Sequence, residues 1–146
     1  MTTYSANERF ILAATIWGEA RNQGVTGMDA IAHVILNRVA AKHGVEFGST
    51  VVAVATHPHQ FSCWDNGDPN CPNLTEKKLE GLDKKTPDGQ AWVNAKAIVT
   101  KVLDGNEPDP THGATMYHTV DCHPYWDQAK YGFKLVATIG SHRFYA

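Results

Sequence analysis

The first half of the chain spaces its apolar residues with the period of an α-helix. Ser5 or Asn7 can cap a first helix that runs to about Trp17, and Gly18 and Gly24 bracket the break expected after it. A capping signal at residues 26–29 predicts a second helix, whose apolar stripe is wide enough for a central, buried helix. The inward residues of this second helix are Met28, Ile31, Ala32, Ile35, Leu36 and Val39.

A short helix and a long irregular region follow. Ser49 can cap a third helix through Val51 and Val54 that stops at His57. Residues 60–87 are rich in Asn, Asp, Gly and Pro, and only residues 74–79 suggest a helical turn or two. A stretch of this length without regular structure is uncommon in a compact domain unless it forms a functional loop. We therefore expect residues of functional importance in it.

The last part of the chain combines one long helix with short strands. Thr86 or Asp88 begins the helix, and Gly105 ends it. Beyond these residues the pattern changes to short strands at 114–118 and 136–139. No internal repeat or interdomain linker interrupts the chain. The sequence therefore predicts one domain over residues 1–146, of α+β class and mainly helical, with a small late β-sheet.

One carboxylate interrupts an apolar helix face. Glu19 follows the apolar run of residues 10–17, so that, if the helix continues, Glu19 lies on the face that meets the core. That face is formed by Ile11, Leu12 and Ile16. Desolvation there raises the pKa of a carboxyl group, and a glutamate that keeps its proton near neutral pH can act as a general acid. In the alternative interpretation, Gly18 breaks the helix and Glu19 pairs with Arg21 or Arg38 at the surface.

Composition and charge narrow the classes of partner. The 146 residues are 42% hydrophobic and 19% charged, which is an ordinary globular balance, and the formal net charge is −2. No cluster of Lys and Arg is longer than a pair, so we expect no nucleic-acid partner. The N-terminus lacks the basic region of a signal peptide, and the first apolar stretch is too short to cross a bilayer. We therefore expect a protein made in a cytosol, without stable membrane insertion. We also expect it to be a monomer.

Three other groups of residues compete with Glu19 for a chemical role. Residues 57–64 are dense in polar and aromatic side chains, which can line a groove for sugar rings or can pack inward in a turn. The pairs formed by His and Cys residues do not have the spacing of a zinc site, so no metal and no cofactor are predicted. Cys63 or Ser62 could be a nucleophile, but no nucleophile elbow surrounds them and a structural cysteine is the simpler interpretation.

The cysteine count excludes a complete disulfide framework. Cys63, Cys71 and Cys122 are an odd number. One bridge with one free thiol, or three buried free thiols, both agree with the sequence.

Six motifs occur in order along nearly the whole chain. They are Trp-Gly-Glu-Ala-Arg at 17–21, Gly-Met-Asp-Ala-Ile-Ala-His-Val-Ile-Leu-Asn-Arg-Val at 27–39, Gln-Phe-Ser-Cys-Trp at 60–64, Gly-Ala-Thr-Met-Tyr-His at 113–118, Pro-Tyr-Trp at 124–126 and Ile-Gly-Ser-His-Arg-Phe-Tyr at 139–145. Together they resemble the SleB/CwlJ family of cell wall hydrolases, found in spore-cortex lytic enzymes and many phage endolysins. Each motif is modest alone, but the ordered set is specific.

The resemblance implies a lysozyme-like fold and a catalytic role for Glu19. The substrate would be the glycan strand of peptidoglycan, cleaved at the β-1,4 bond between N-acetylmuramic acid and N-acetylglucosamine. Because no acidic partner of Glu19 is recognisable, we expect a lytic transglycosylase, with hydrolysis by a muramidase as the alternative. The remaining motifs imply a substrate-binding set of Gln60, Phe61, Ser62, Trp64, Tyr117 and His118.

The sequence also leads to an expectation about the biological role of the protein and the place where it acts. The chain carries neither a signal peptide nor the peptidoglycan-binding repeat common in the spore enzymes, which favours a phage endolysin. Such a protein would stay in the host cytoplasm before release and then act on periplasmic peptidoglycan. Two alternatives from other classes are a zinc amidase or peptidase that cuts the peptide stem and a non-catalytic wall-binding module.

Overall fold

The first helix continues through the glycine that was expected to end it. The structure is a computed structural model, and it describes residues 3–41, 48–105 and 107–146. Helix α1 spans Ala6–Ala20 and begins at Ser5, whose hydroxyl accepts from the Glu8 N–H at 3.1 Å while its own N–H donates to Glu8 Oε1 at 3.0 Å. The break that Gly18 and Gly24 were expected to bracket is present at Arg21–Gln23, but the expected helix end near Trp17 is wrong, and Glu19 lies in the last turn of α1.

Helix α2 is the central helix, and it begins earlier than expected. A single 3₁₀ turn, Arg21–Gln23, separates α1 from α2, which spans Gly24–Ala40. Gly24 has a φ of +74°, a conformation that glycine adopts without steric cost, so the chain turns sharply and the new helix starts two residues before the signal at 26–29. The predicted inward residues are buried, except that Leu36 and Val39 are half-buried. Asp29, His33 and Arg38 are buried as well.

The described residues contain three further α-helices. Helix α3, Val51–Ala55, is capped by Thr50 rather than Ser49, and α4 is Glu76–Glu80. Helix α5, Pro87–Leu103, begins at Thr86, one of the two expected caps, and packs against both α1 and α2. No helix in the described ranges is long and apolar enough to cross a bilayer.

The sheet has three strands, one more than the sequence predicted. Strands β1, Met116–Thr119, and β2, Leu135–Ile139, flank β3, His142–Tyr145, and both pair with it antiparallel. The missed strand, β3, is the central one. Phe144 on β3 is fully buried in the core formed with the helices, whereas Tyr145 packs on the opposite face against Trp126.

The end of α2 fixes the segment that leads into the sheet. The Asn37 amide donates to Asp109 Oδ2 at 2.8 Å and to the Ala114 carbonyl at 2.9 Å. Arg38 Nε donates to the Thr115 carbonyl oxygen at 2.6 Å. These bonds hold β1 against the helical part of the molecule.

Candidate active site

Glu19 is half-buried at the end of α1 and is held by a backbone donor. The N–H of Cys63 donates to Glu19 Oε1 at 3.0 Å. Arg21 pairs instead with Asp88 at 3.1 Å, and the Arg38 side chain reaches the Thr115 carbonyl. Glu19 has no ion-pair partner among the described residues, so the surface ion pair considered as the alternative is not formed there.

The surroundings of Glu19 favour its protonated form. Burial raises the pKa of Glu19, and the charges of Asp68 and Asp65 raise it further. The hydrogen bond from the Cys63 N–H and the nearby Cys63 side chain act in the other direction, but the pKa stays above the ordinary value. A carboxyl group that retains its proton towards neutral pH has the property required of a general acid.

Two acidic residues of the irregular region act electrostatically on Glu19. Asp65 and Asp68 belong to the irregular region after α3, and both are near enough for their charges to act on the Glu19 pKa. Asp65 Oδ1 accepts from the N–H of His59 at 3.3 Å. Two of the loop carboxylates for which no pairing with Glu19 was recognisable from the sequence therefore act on it electrostatically. Asp121 is exposed in the turn after β1 and is not among the groups that act on this pKa.

A small pocket opens beside Glu19. Its volume is about 220 Å³, and it is lined by Gly18, Glu19, Arg21, Asn22 and Asn70. The Asn70 amide donates to the Gly18 carbonyl at 3.5 Å, which links the irregular region to the end of α1. Sequence reasoning missed Asn22 and Asn70, because neither stands out by spacing or by its neighbours.

The segment 60–64 reaches Glu19 through its backbone and through packing. Trp64 Nε1 donates to the Thr15 hydroxyl at 2.9 Å, so this tryptophan is anchored on α1. Phe61 is fully buried and its ring stacks on that of Tyr117, whereas Ser62 is exposed. Gln60 Oε1 accepts from Arg38 Nη1 at 3.4 Å. Of the four predicted binding residues in this segment, Phe61 lacks the exposure needed to touch a substrate.

Cys63 does not have the environment of a nucleophile. Burial and the neighbouring carboxyl group of Glu19 raise the pKa of its thiol strongly, so the thiolate does not form near neutral pH.

Cys63, Cys71 and Cys122 are all free, as one of the two expectations had it. Only Cys63 is buried, since Cys71 is half-buried and Cys122 is exposed.

Tyr117 faces the same site from the sheet. Its ring stacks on Phe144 at 5.8 Å and on Phe61 at 6.4 Å between ring centres. Burial and the charge of Glu19 raise the pKa of Tyr117, while Arg38 lowers it in part. The hydroxyl group therefore stays protonated and can donate a hydrogen bond near Glu19.

The structure does not bring His118 to Glu19. Neighbouring residues of a strand point to opposite faces of a sheet, and Tyr117 occupies the inner face. His118 is buried on the outer face, where its Nε2 lies 2.9 Å from the Tyr145 hydroxyl and its ring packs on Trp126. The placement of His118 in the groove around Glu19 is thus corrected.

In the described ranges, no group of three or more His, Cys, Asp and Glu residues is arranged to bind a metal ion.

We expect Tyr117→Phe to lower turnover much more than thermal stability. The substitution keeps the stacked ring and removes only the hydroxyl group, and loss of one donor near the reacting atoms costs about 10²–10³-fold in some enzymes. Steady-state rates of wall lysis and melting temperatures would be compared for the wild type, Tyr117→Phe and the exposed-site control Tyr131→Phe. A large fall in melting temperature with unchanged turnover would assign Tyr117 to packing alone.

A family profile described as Cell Wall Hydrolase matches residues 22–145, so Glu19 lies just before the matched range. The spore cortex-lytic enzyme of Bacillus cereus is 35% identical over 91 residues, which are 60% of this chain and 34% of that protein. That of Halalkalibacterium halodurans is 30% identical over 118 residues, which are 81% of this chain and 29% of that protein. The chain thus spans about a third of the length of these curated relatives.

Two solved structures resemble the whole chain. The catalytic domain of the germination-specific lytic transglycosylase SleB from Bacillus anthracis has a TM-score of 0.71 and 26% identity, with 100% of this chain and 99% of that chain covered. The catalytic domain of the Bacillus cereus SleB protein has a TM-score of 0.68 and 26% identity, with 100% and 94% covered. The expected fold, mainly helical and lysozyme-like with a small sheet, is confirmed. The chain belongs to the cell wall hydrolase family, as its motifs indicated.

Proposed function

We propose that this chain is a catalytic domain that cleaves the β-1,4 bond between N-acetylmuramic acid and N-acetylglucosamine in peptidoglycan, with Glu19 as the acid. The observation that carries the proposal is the half-buried carboxyl group of Glu19, which has a raised pKa and opens on a pocket. The name of the Bacillus anthracis neighbour, a lytic transglycosylase, supports the reaction class.

In this mechanism Glu19 serves first as acid and then as base. Its proton passes to the glycosidic oxygen as the bond between that oxygen and the anomeric carbon breaks. The Glu19 carboxylate then takes the proton of the 6-hydroxyl group of the muramic acid residue, whose oxygen bonds to the anomeric carbon. The products are a 1,6-anhydromuramic acid end and a free 4-hydroxyl group, and Glu19 regains its proton.

Hydrolysis by a muramidase is the second candidate function, and Asp65 and Asp68 are the residues that support it. A muramidase needs a second carboxylate, at about 5–5.5 Å from the acid for a retaining reaction or about 6.5–9.5 Å for an inverting one. Both residues act electrostatically on Glu19, so either is a candidate for activating a water molecule. In the transglycosylase, by contrast, their charges help Glu19 to keep its proton but take no part in bond formation.

Mass spectrometry of fragments released from purified peptidoglycan distinguishes these reactions. We expect ends of 1,6-anhydro-N-acetylmuramic acid, which are lighter by one water than hydrolysed ends. We also expect Asp65→Asn and Asp68→Asn to retain appreciable activity, with the exposed-site variant Asp121→Asn as the control. Reducing muramic acid ends would instead support a muramidase. Cleavage of the peptide stem, or loss of activity on dialysis against a chelator, would support a zinc amidase or peptidase.

We also propose that the protein is a phage endolysin, which concerns where and when it acts and is independent of the reaction that it catalyses. In it, the protein acts as a monomer on periplasmic peptidoglycan after release from the host cytoplasm. The relatives reported above are named spore cortex-lytic enzymes, so a comparison of substrates is informative. An endolysin should degrade sacculi of growing cells at least as fast as purified spore cortex, whereas a strong preference for cortex would favour a role in germination.

A further inference from the structure

A second pocket adjoins the pocket beside Glu19, and the Arg21 side chain lines both of them. The second pocket has a volume of about 240 Å³ and lies between the end of α1, helix α4 and the start of α5. Its apolar wall is formed by Trp17, Leu79 and Leu82. A ligand that reaches Glu19 can therefore extend past Arg21 onto an apolar surface.

Arg21 is held in a fixed position between the two pockets. Its guanidinium carbon lies 4.1 Å from the centre of the Trp17 ring, and its Nε donates to Asp88 Oδ1 at 3.1 Å. The Trp17 indole N–H donates to the Asp88 carbonyl oxygen at 3.0 Å, which fixes the ring under the guanidinium group. Within the described part of the chain, Arg21 Nη2 has no hydrogen-bond acceptor, so this nitrogen is available to a ligand.

The rim of the second pocket is suited to a carboxylate. It carries two cationic side chains, Arg21 and Lys78, and one acidic side chain, Asp88, which is already paired with Arg21. Lys78 Nζ donates to the Pro72 carbonyl oxygen at 2.8 Å, which orders the ammonium group and leaves further donors for a ligand. An apolar wall with a few charged groups at its edge fits a ligand that combines small apolar groups with carboxylates.

The substrate of the proposed reaction carries such a group next to the reacting atoms. The muramic acid residue whose anomeric carbon lies at Glu19 also bears a lactyl group, to which the peptide stem is attached. The lactyl group and the first stem residue, alanine, each present a methyl group, and later stem residues present carboxylates. The stem thus leaves the sugar ring close to Glu19, where the second pocket begins.

We propose that the second pocket, here named the stem pocket, binds the peptide stem of the muramic acid residue that reacts at Glu19. Lys78 and Arg21 contact the stem carboxylates, and Leu79 and Leu82 contact its methyl groups. Asp88 takes part by orienting Arg21. This proposal rests on the proposed function and names a part of the substrate, besides the glycan, that the protein recognises.

An NMR titration of the wild-type protein with N-acetylmuramoyl tetrapeptide tests the stem pocket. This ligand has a muramic acid residue and a stem but no glycosidic bond, so it stays intact whichever glycan reaction the protein catalyses. We expect it to shift the methyl signals of Leu79 and Leu82 and to leave those of the exposed Val25 unchanged. N-acetylmuramic acid without a stem should leave the Leu82 signals in place.

Variants of two neighbouring lysines test the contribution of charge. Lys78→Ala should weaken binding of the tetrapeptide ligand by about fivefold, which is the upper range for an exposed charge pair. Lys77→Ala, an exposed lysine of α4 outside the pocket, should bind it as the wild type does. A ligand whose stem carboxylates are converted to amides should bind equally to the wild type and to Lys78→Ala.

The outcomes separate the stem pocket from the proposed function. Unresponsive Leu79 and Leu82 methyl groups, or equal affinities of Lys78→Ala and Lys77→Ala for the tetrapeptide ligand, would overturn the stem pocket even if released wall fragments have 1,6-anhydro ends. The expected shifts and affinities together with an active Glu19→Gln protein would support the stem pocket while refuting Glu19 as the acid.

Arg21→Gln is the second variant. It should weaken binding of the tetrapeptide ligand more than Lys78→Ala does, because a guanidinium group can form two parallel hydrogen bonds with a carboxylate. Unchanged binding by a folded Arg21→Gln protein, with circular dichroism matched to the wild type, would also overturn the proposal.

Discussion

Glu19→Gln is expected to lower peptidoglycan lysis by about 10²–10⁴-fold without disturbing the fold, because general acid catalysis is typically worth that factor. The amide has nearly the same shape as the carboxyl group, and its oxygen can still accept from the Cys63 N–H. It cannot donate the proton that the glycosidic oxygen needs, nor can it accept one afterwards. Turbidity clearing of permeabilised cells, with circular dichroism of both proteins, measures the effect.

The matched control for this prediction is Glu76→Gln. Glu76 is an exposed glutamate in the first turn of α4, so the same chemical change is made away from Glu19. It should leave the rate of clearing close to that of the wild type. If Glu19→Gln retained most of the activity while folded, the assignment of Glu19 as the acid would be refuted, and Asp65 and Asp68 would become the candidates.

The apolar face that carries Glu19 could be predicted because helical periodicity is a local property. The continuation of α1 through Gly18 could not, because the reason lies far along the chain. Gly18 resembles a helix breaker when only its neighbours in sequence are considered, but the group that needs the space is Cys63. A contact between residues so far apart in sequence leaves no periodic signal.

The relation of Asp65 and Asp68 to Glu19 was not recognisable from the sequence for a related reason. Asp65 and Asp68 belong to an irregular loop, and its path over the end of α1 is set by tertiary contacts such as the bond from Asn70 to the Gly18 carbonyl. The position of this stretch as a functional loop was predictable from its length and composition. The identity of the carboxylates whose charges act on Glu19 was not.

The prediction that Tyr117 and His118 line the same groove ignored the alternation of side chains along a strand. Both lie in β1, and successive residues of a strand point to opposite faces, so the two could not line one groove. The structure follows this rule, with Tyr117 inward and His118 under Trp126. Strand β3 was missed although its motif was noticed, because a strand so short is recognised mainly by its pairing with β1 and β2.

Arg38 shows how a buried charge can be mistaken for a surface one. The sequence suggested a partner for Glu19 at the surface, yet the side chain is buried between α2 and the sheet. Its Nε donates to the Thr115 carbonyl at 2.6 Å, and its guanidinium group lies 5.2 Å from the centre of the Phe61 ring. Arg38 thereby connects the helix, the segment that begins at Gln60 and the strand that carries Tyr117.

We expect Arg38→Ala to lower both stability and activity. A hydrogen bond to a charged group is worth roughly 1.5–3 kcal/mol, and the substitution also leaves the Thr115 carbonyl without its donor. At roughly 2–4 °C per kcal/mol for a protein of about this size, the melting temperature should fall by on the order of 5–10 °C. Lysis measured well below that temperature should fall too, because Arg38 orders Gln60 and Phe61 in the segment whose Cys63 N–H holds Glu19.

Two further variants test whether the loss of stability in Arg38→Ala is due to the hydrogen bonds of the buried Arg38 guanidinium group or to the loss of any positive charge. Arg38→Lys keeps the charge but lacks the planar set of donors, so it should recover only part of the stability. Arg9→Ala removes an exposed arginine paired with Asp104 at 3.4 Å, and exposed pairs are worth only about 0–1 kcal/mol, so its melting temperature should stay near that of the wild type. An Arg38→Ala protein as stable as Arg9→Ala would contradict the structural role of Arg38. A stable but inactive Arg38→Ala protein would instead mean that the guanidinium group acts on the site and not on the fold.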